Sequence, residues 1–125
     1  MPDPDRDPRT LLPLPHLEYQ ILVSLADADL HGYAIVKEIA QRSAGTSTPS
    51  TGSLYLAIAR LLEHGLIDEV EPDEVTRRKK RTYALSAYGR QVAEAETTRL
   101  SELARLANER LRGVQTAASG PHGRQ

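Results

Sequence analysis

Five cations in a row, Arg77 to Arg81, sit in the segment TRRKKRTYAL (76–85), and the ten residues before it, LIDEVEPDEV (66–75), hold five acids. In a chain of net charge −1 this is a local separation of charge, not an excess. The residues that bracket it are strand formers. Leu66 and Val70 bound the first block, although Ile67 breaks strict alternation, and Thr82, Tyr83 and Leu85 follow the second. Pro72-Asp73-Glu74 supplies turn chemistry near the tip. The spacing predicts a β-hairpin wing with one acidic and one basic arm. Asp68, Glu69, Glu71, Asp73 and Glu74 can pair across it with some of the cations, setting register and leaving other cations free.

What precedes the hairpin is helical. Leu14, Leu17, Ile21, Leu22 and Leu25 recur at helical spacing and predict a first helix from about Pro15 to Ala28, with Tyr19 and Val23 on another side. A short break at Asp27 to Leu30 leads into HGYAIVKEIAQRSA (31–44), whose buried side is Gly32, Ile35, Val36, Ile39 and Ala40. Gly32 permits close approach of a neighbouring helix. His31 reads as a cap or packing residue there, and Tyr33 as packing. After the loop GTSTPS (45–50), STGSLYLAIARLLEHG reads as a third helix, with Ser50 or Thr51 as N-cap and Gly65 as the left-handed residue that ends it. One face carries Leu54, Tyr55, Ile58, Leu61 and Leu62; the opposite face carries Ser53, Leu56, Ala57, Arg60 and His64. Beyond the hairpin Ser86 can cap a long helix to about Arg112, roughly 40 Å at 1.5 Å per residue, with Val92, Leu100, Leu103, Leu106, Ala107 and Leu111 as its apolar members.

The expected fold is mainly α with a small β-hairpin: a winged helix-turn-helix plus a long C-terminal dimerisation helix. Residues 1–13, with four prolines and three aspartates, read as a disordered arm. Residues 14–85 form the winged helix-turn-helix, 86–112 the C-terminal helix, and 113–125 a flexible tail. The chain's 125 residues suit one such domain. The absence of cysteine removes disulfide and thiolate metal chemistry. The N-terminus has no secretory signal pattern and no apolar run reaches membrane-spanning length, so cytoplasm is the expected location and no membrane partner is expected.

A helix-turn-helix places its second helix in the major groove of double-stranded DNA. The amino-terminal end of that helix, Ser50, Thr51, Gly52 and Ser53, offers unpaired N–H groups and hydroxyls to a phosphate. Arg60 suits a guanine edge or a phosphate, while Leu56 and Ala57 suit a thymine methyl. Arg77, Arg78, Lys79, Lys80 and Arg81 on the wing suit the backbone or an adjacent minor groove, for positioning and not for sequence readout. With pI near 6.4, affinity must come from this local patch and weaken with salt. The leucines of the last helix have no evident partner within the chain. Paired with the same helix and with Tyr19 and Val23 of a second copy, Val92, Leu100, Leu103, Leu106, Ala107 and Leu111 would make a homodimer. Its recognition helices would lie about 34 to 36 Å apart, or a multiple, and favour a pseudo-palindromic operator.

Three ordered segments, HGYAIVKEI (31–39), GSLYLAIARLLEHGLI (52–67) and RRKKRTYALSAYGR (77–90), resemble the PadR-like transcriptional regulators. The likeness covers roughly residues 14–112, and the single C-terminal helix looks like that of the small subfamily. It implies a homodimeric repressor, with Ser53, Tyr55, Ala57 and Arg60 in the recognition helix and Arg77 to Arg81 with Tyr83 in the wing. Tyr55 can alternatively pack inward with its hydroxyl at the surface, and Arg60 can be held by Glu63 or Glu38. Leu56 stands where the family usually has proline, Ala34 where it has Glu, and Ser86 where it has Thr. Some relatives take aromatic effectors at the dimer interface; a small-molecule effector is therefore a candidate partner of unknown identity, and the lack of Trp and Phe argues against a flat one.

No cofactor or catalytic residue is expected. The histidines lack ligand spacing for a metal. TGSLY lacks the glycine of a nucleophile elbow, and GTSTPSTGS lacks the Gly-Lys-Ser/Thr of a P-loop. The rival reading is a winged-helix module that binds protein and never touches DNA, which the near-neutral charge and the acidic arm favour.

Overall fold

The computed structural model describes residues 5–46, 48–70 and 81–119, with side chains to Gly113. Three helices come first in the helix-turn-helix order: α1 (His16–Ser24), α2 (Gly32–Arg42) and α3 (Thr51–Glu63). The strands β1 (Leu30–His31), β2 (Ile67–Val70) and β3 (Thr82–Leu85) and the long helix α4 (Ala87–Ser119) complete the chain. The helix ends follow local chemistry. The His31 ring accepts from the Ala34 N–H at 3.3 Å and so caps α2. Ser50 Oγ accepts from the Ser53 N–H at 3.1 Å and caps α3. At the far end of α3, Gly65 at φ 74° lets its N–H reach the Leu62 carbonyl and the Leu66 N–H reach Leu61, closing the helix and turning the chain into β2.

The hairpin pairs antiparallel, from Ile67 opposite Leu85 to Val70 opposite Thr82. The hairpin expected from the sequence is present and is part of a three-stranded sheet, whose third strand the patterning does not reveal. Leu30 and His31 pair with Tyr83 and Thr82, giving the order β1-β3-β2. Two residues are too few to show alternation; their backbone is extended because His31 must cap α2 while β3 runs alongside. Ile67, which disturbs the alternation, is buried next to Leu66 because Leu66 belongs to the helix stop and Ile67 to the strand.

The core lies between α1, α2, α3 and the sheet, with Ile21, Leu22, Ile35, Ile39, Leu54, Ile58, Leu61 and Tyr83 fully buried. Each such side chain contributes about 1.5–3 kcal/mol relative to exposure. The first turns of α4 close it. Ser86 Oγ donates to the Gly65 carbonyl (2.6 Å) and accepts from the Gly89 N–H (2.9 Å), so one hydroxyl ties the end of α3 to the start of α4. Gly89 lies so near the turn from α3 into β2 that a Cβ there would sit 1.9 Å from the Leu66 carbonyl oxygen.

Part of the 1–13 segment, expected as a disordered arm, is ordered. A 3-10 turn, Pro8–Leu11, leads Leu11 and Leu12 onto the core, and the Leu14 N–H donates to the buried Glu96 carboxylate at 3.0 Å. Composition signals disorder there because the apolar surface that receives these leucines belongs to an element eighty residues away. At the other end α4 runs past Arg112 to Ser119, into the stretch expected as a tail.

Candidate nucleic-acid interface

Helix α3 buries Leu54, Ala57, Ile58 and Leu61. Its solvent side is therefore Gly52, Tyr55, Leu56, Ala59 and Glu63, with Thr51, Ser53 and Arg60 also exposed. These offsets of three, four, seven and eleven from Gly52 define one helical face. It is rotated by about one position from the face expected from the sequence. Ala57, expected to meet a thymine methyl, is only 3% exposed and belongs to the core beside Leu54 and Ile58. Ala59 takes the outward place. The strand and helix packing that decides this rotation is non-local, and alanine carries no polarity to reveal its side.

Along the outward face, chemistry changes from one end to the other. The amino-terminal turn holds the Ser50 cap and exposed Thr51, Gly52 and Ser53; among the described residues, nothing beyond the helix's own backbone and the adjoining residues comes within 4 Å of the place a Cβ on Gly52 would take. Leu56 is 57% exposed and Tyr55 47%. Tyr55 both packs and protrudes, because its hydroxyl lies against Gly32 of α2, where a Cβ would come within 2.5 Å of it. The carboxylate of Glu63 stands at the far end. The first two turns thus offer backbone N–H groups, hydroxyls and apolar contacts, and the last turn a negative charge.

Arg60 stays half-exposed, but its partner is neither Glu63 nor Glu38. Nη1 donates to Oε2 of Glu18 on α1 at 3.3 Å, and Glu18 is 4% exposed. Sequence reasoning passed over Glu18. The available signal was an acid at helical spacing from Leu14, Ile21, Leu22 and Leu25, on the face of α1 that carries the core. The second helix presents its own surface group: Tyr33, read as packing, is 66% exposed, its ring parallel to that of His31 and 5.6 Å from Lys37 Nζ.

Of the wing cations, Arg81 is described. It is exposed and lies 3.7 Å from Glu69 across the hairpin. Tyr83 beneath is buried, and that burial, followed by the nearby Glu69 charge, pushes its phenol above the usual tyrosine range. Arg77, Arg78, Lys79 and Lys80, with Glu71, Asp73, Glu74 and the proposed turn, lie outside the described residues.

The residues expected at a dimer seam divide in two. Val92 is wholly buried in the chain's own core and is removed from the set: its place on α4 faces α1, not solvent. Tyr19 is half-buried, and its hydroxyl lies 2.6 Å from Thr97 Oγ1 in the same chain. Val23 is 36% exposed beside a cleft of about 350 Å³ between α1 and α4. Farther along α4, Leu103, Leu106 and Leu111 are exposed and Leu100 and Ala107 partly so. No helix among the described residues is long and apolar enough to cross a membrane.

Comparison with known proteins fits this architecture. The model of the transcriptional regulator PadR-like family matches residues 21–95. A PadR family transcription regulator from Clostridium difficile superposes with a TM-score of 0.68 at 23% identity, covering 78% of this chain and 99% of that one. A transcriptional regulator from Clostridium thermocellum gives 0.65 at 24% identity, over 75% and 88%. Bacillus subtilis PadR, solved in complex with operator DNA, gives 0.57 at 24% identity, over 66% of this chain and 47% of that one. An uncharacterized 37.1 kDa transposon protein of Streptomyces fradiae is 37% identical over 83 residues, so the chain spans 22% of that relative's length. With a four-helix winged fold and a family match over more than half its length, the chain belongs to the PadR-like family of transcriptional regulators.

Proposed function

We propose that the chain is a sequence-specific, DNA-binding transcriptional repressor that acts as a homodimer. The observation that carries this reading is the outward face of α3: an exposed helix, capped by Ser50 and free of acids through its first two turns, is held on the rigid three-helix core and followed directly by the hairpin. That is the geometry for major-groove entry, with backbone phosphates met by the helix start. Thr51, Gly52 and Ser53 position the helix, Tyr55, Leu56 and Ala59 touch base edges, and Arg60 supplies a donor. The cations Arg77 to Arg81 hold the flanking backbone. The PadR of Bacillus subtilis, which shares the fold, was solved with operator DNA, and this supports the same partner here.

The exposed leucines of α4 support dimerisation. Leu103, Leu106 and Leu111 recur on a helix with no covering element among the described residues, and a second copy would bury them while setting two α3 helices on one side. Selection of duplexes from a randomised library, followed by titration at several salt concentrations, tests the reading. An enriched, partly palindromic duplex whose affinity falls steeply with salt is expected. Absence of any enriched duplex even at low salt overturns it, and recovery of a stoichiometric protein partner in its place would establish the protein-interaction alternative.

A further inference from the structure

Glu18 is a carboxylate 4% exposed in the first turn of α1, facing α3 across a gap bridged, among the described residues, by one contact, to Nη1 of Arg60. Burying a charge is costly, and an apolar side chain of similar size would hold α1 against α3 with less penalty. What a carboxylate adds in this place is direction. It engages one nitrogen of a guanidinium that has five N–H donors in a fixed planar fork. Arg60 remains 49% exposed, and among the described residues its other donors have no hydrogen-bond partner. Arg60 also lies seven residues after Ser53, two turns along the same flank of the exposed face.

We infer that Glu18 is a positioning residue: from inside the fold it aims the free edge of Arg60 at a base in the major groove, and so helps to set sequence preference. The inference rests on the DNA-binding reading above. A free arginine on four rotatable bonds can reach several phosphates and base steps. One tethered at Nη1 addresses a single place with the rest of its fork. Glu18 is itself an anion beneath a surface that meets a polyanion, so its electrostatic effect on general affinity is unfavourable. Positioning and net attraction therefore make opposite predictions when the charge is removed.

The test uses the full chain, the duplex enriched by the unaltered protein, and a scrambled duplex of the same composition. Glu18→Gln should lower the ratio of the two affinities about tenfold, the smaller end of what one arginine–base pair is worth, while leaving affinity for the scrambled duplex equal or higher. Arg60→Ala should lower the ratio at least as much, and the double variant no further than Arg60→Ala alone. Arg60→Lys, which keeps a cation beside Glu18 but loses the fork, covers the case in which Glu18→Gln does not fold; it too should lose preference without losing scrambled binding. An unchanged ratio in either Glu18→Gln or Arg60→Lys, multiplying losses in the double variant, or an equal loss on both duplexes for Arg60→Ala would overturn the inference alone. Failure of the unaltered protein to enrich any duplex would overturn the DNA-binding reading with it.

Discussion

Single residues decide more of this fold than their size suggests. Gly89 has no spare room: a methyl group there would run into the Leu66 carbonyl, which is backbone and cannot swing aside. Gly89→Ala should destabilise the chain by about 3 kcal/mol or more, through overpacking that shifts α4 away from Leu66. Gly52→Ala, on open surface, should change stability by less than about 1 kcal/mol, and in the favourable direction. Denaturant midpoints of the two variants measure both. Glu96 carries a pH dependence. The Arg99 guanidinium bonded to it, with the Leu14 N–H, holds its carboxyl below the usual carboxylate range against the opposing effect of burial. A depressed folded-state value means that its contribution is present in full above about pH 4.3, the unfolded value, and is lost as pH falls through the depressed one. The stability difference between the protein and Glu96→Gln should therefore be constant near neutrality and shrink on acidification below pH 4.3; a difference that persists unchanged to about pH 2 would contradict this.

At the scale of elements, the two ends of α3 and the start of α4 were readable, whereas α1, expected to run to about Ala28, ends at Ser24, and α4, expected to end near Arg112, runs to Ser119. Ser50, Gly65 and Ser86 do what their types suggest, because caps are satisfied within three or four residues. Ser86 has a second role that no local pattern shows, its bond to the Gly65 carbonyl twenty-one positions earlier. Ser86→Ala should cost about 2 kcal/mol, at the upper end for an N-cap, whereas Ser50→Ala should cost about 1 kcal/mol. Thermal unfolding of the pair, followed by circular dichroism, checks the order. In the wing, Arg81 and Glu69 are both exposed, and their pairing matters little for stability. Arg81→Ala should leave the melting temperature nearly unchanged yet reduce the salt slope of DNA binding by about one.

For the whole molecule, α4 separates two kinds of burial. Its first turns, through Val92 and Glu96, belong to the chain's own core, and its later turns present Leu103, Leu106 and Leu111 to solvent. On the homodimer proposed above, charged residues at two of these later positions, Leu103→Glu with Leu106→Glu, should give a monomer by sedimentation velocity with an intact helix-turn-helix. Operator affinity should fall about a hundredfold or more, because the second half-site no longer binds as part of one molecule. A variant that still sediments as a dimer would place the seam elsewhere.

Read without partners, the chain specified its three short helices, their caps, the hairpin and the family to which they belong. These follow from periodicity and from hydrogen bonds closed over a few residues. It did not specify β1, the docking of Leu11 and Leu12, the rotation that turns Ala57 inward and Ala59 outward, or the pairing of Arg60 with Glu18. Each of those depends on a group 42 to 82 residues away in sequence, or on another element's shape, and burial of an ambiguous side chain is settled only when that neighbour is in place.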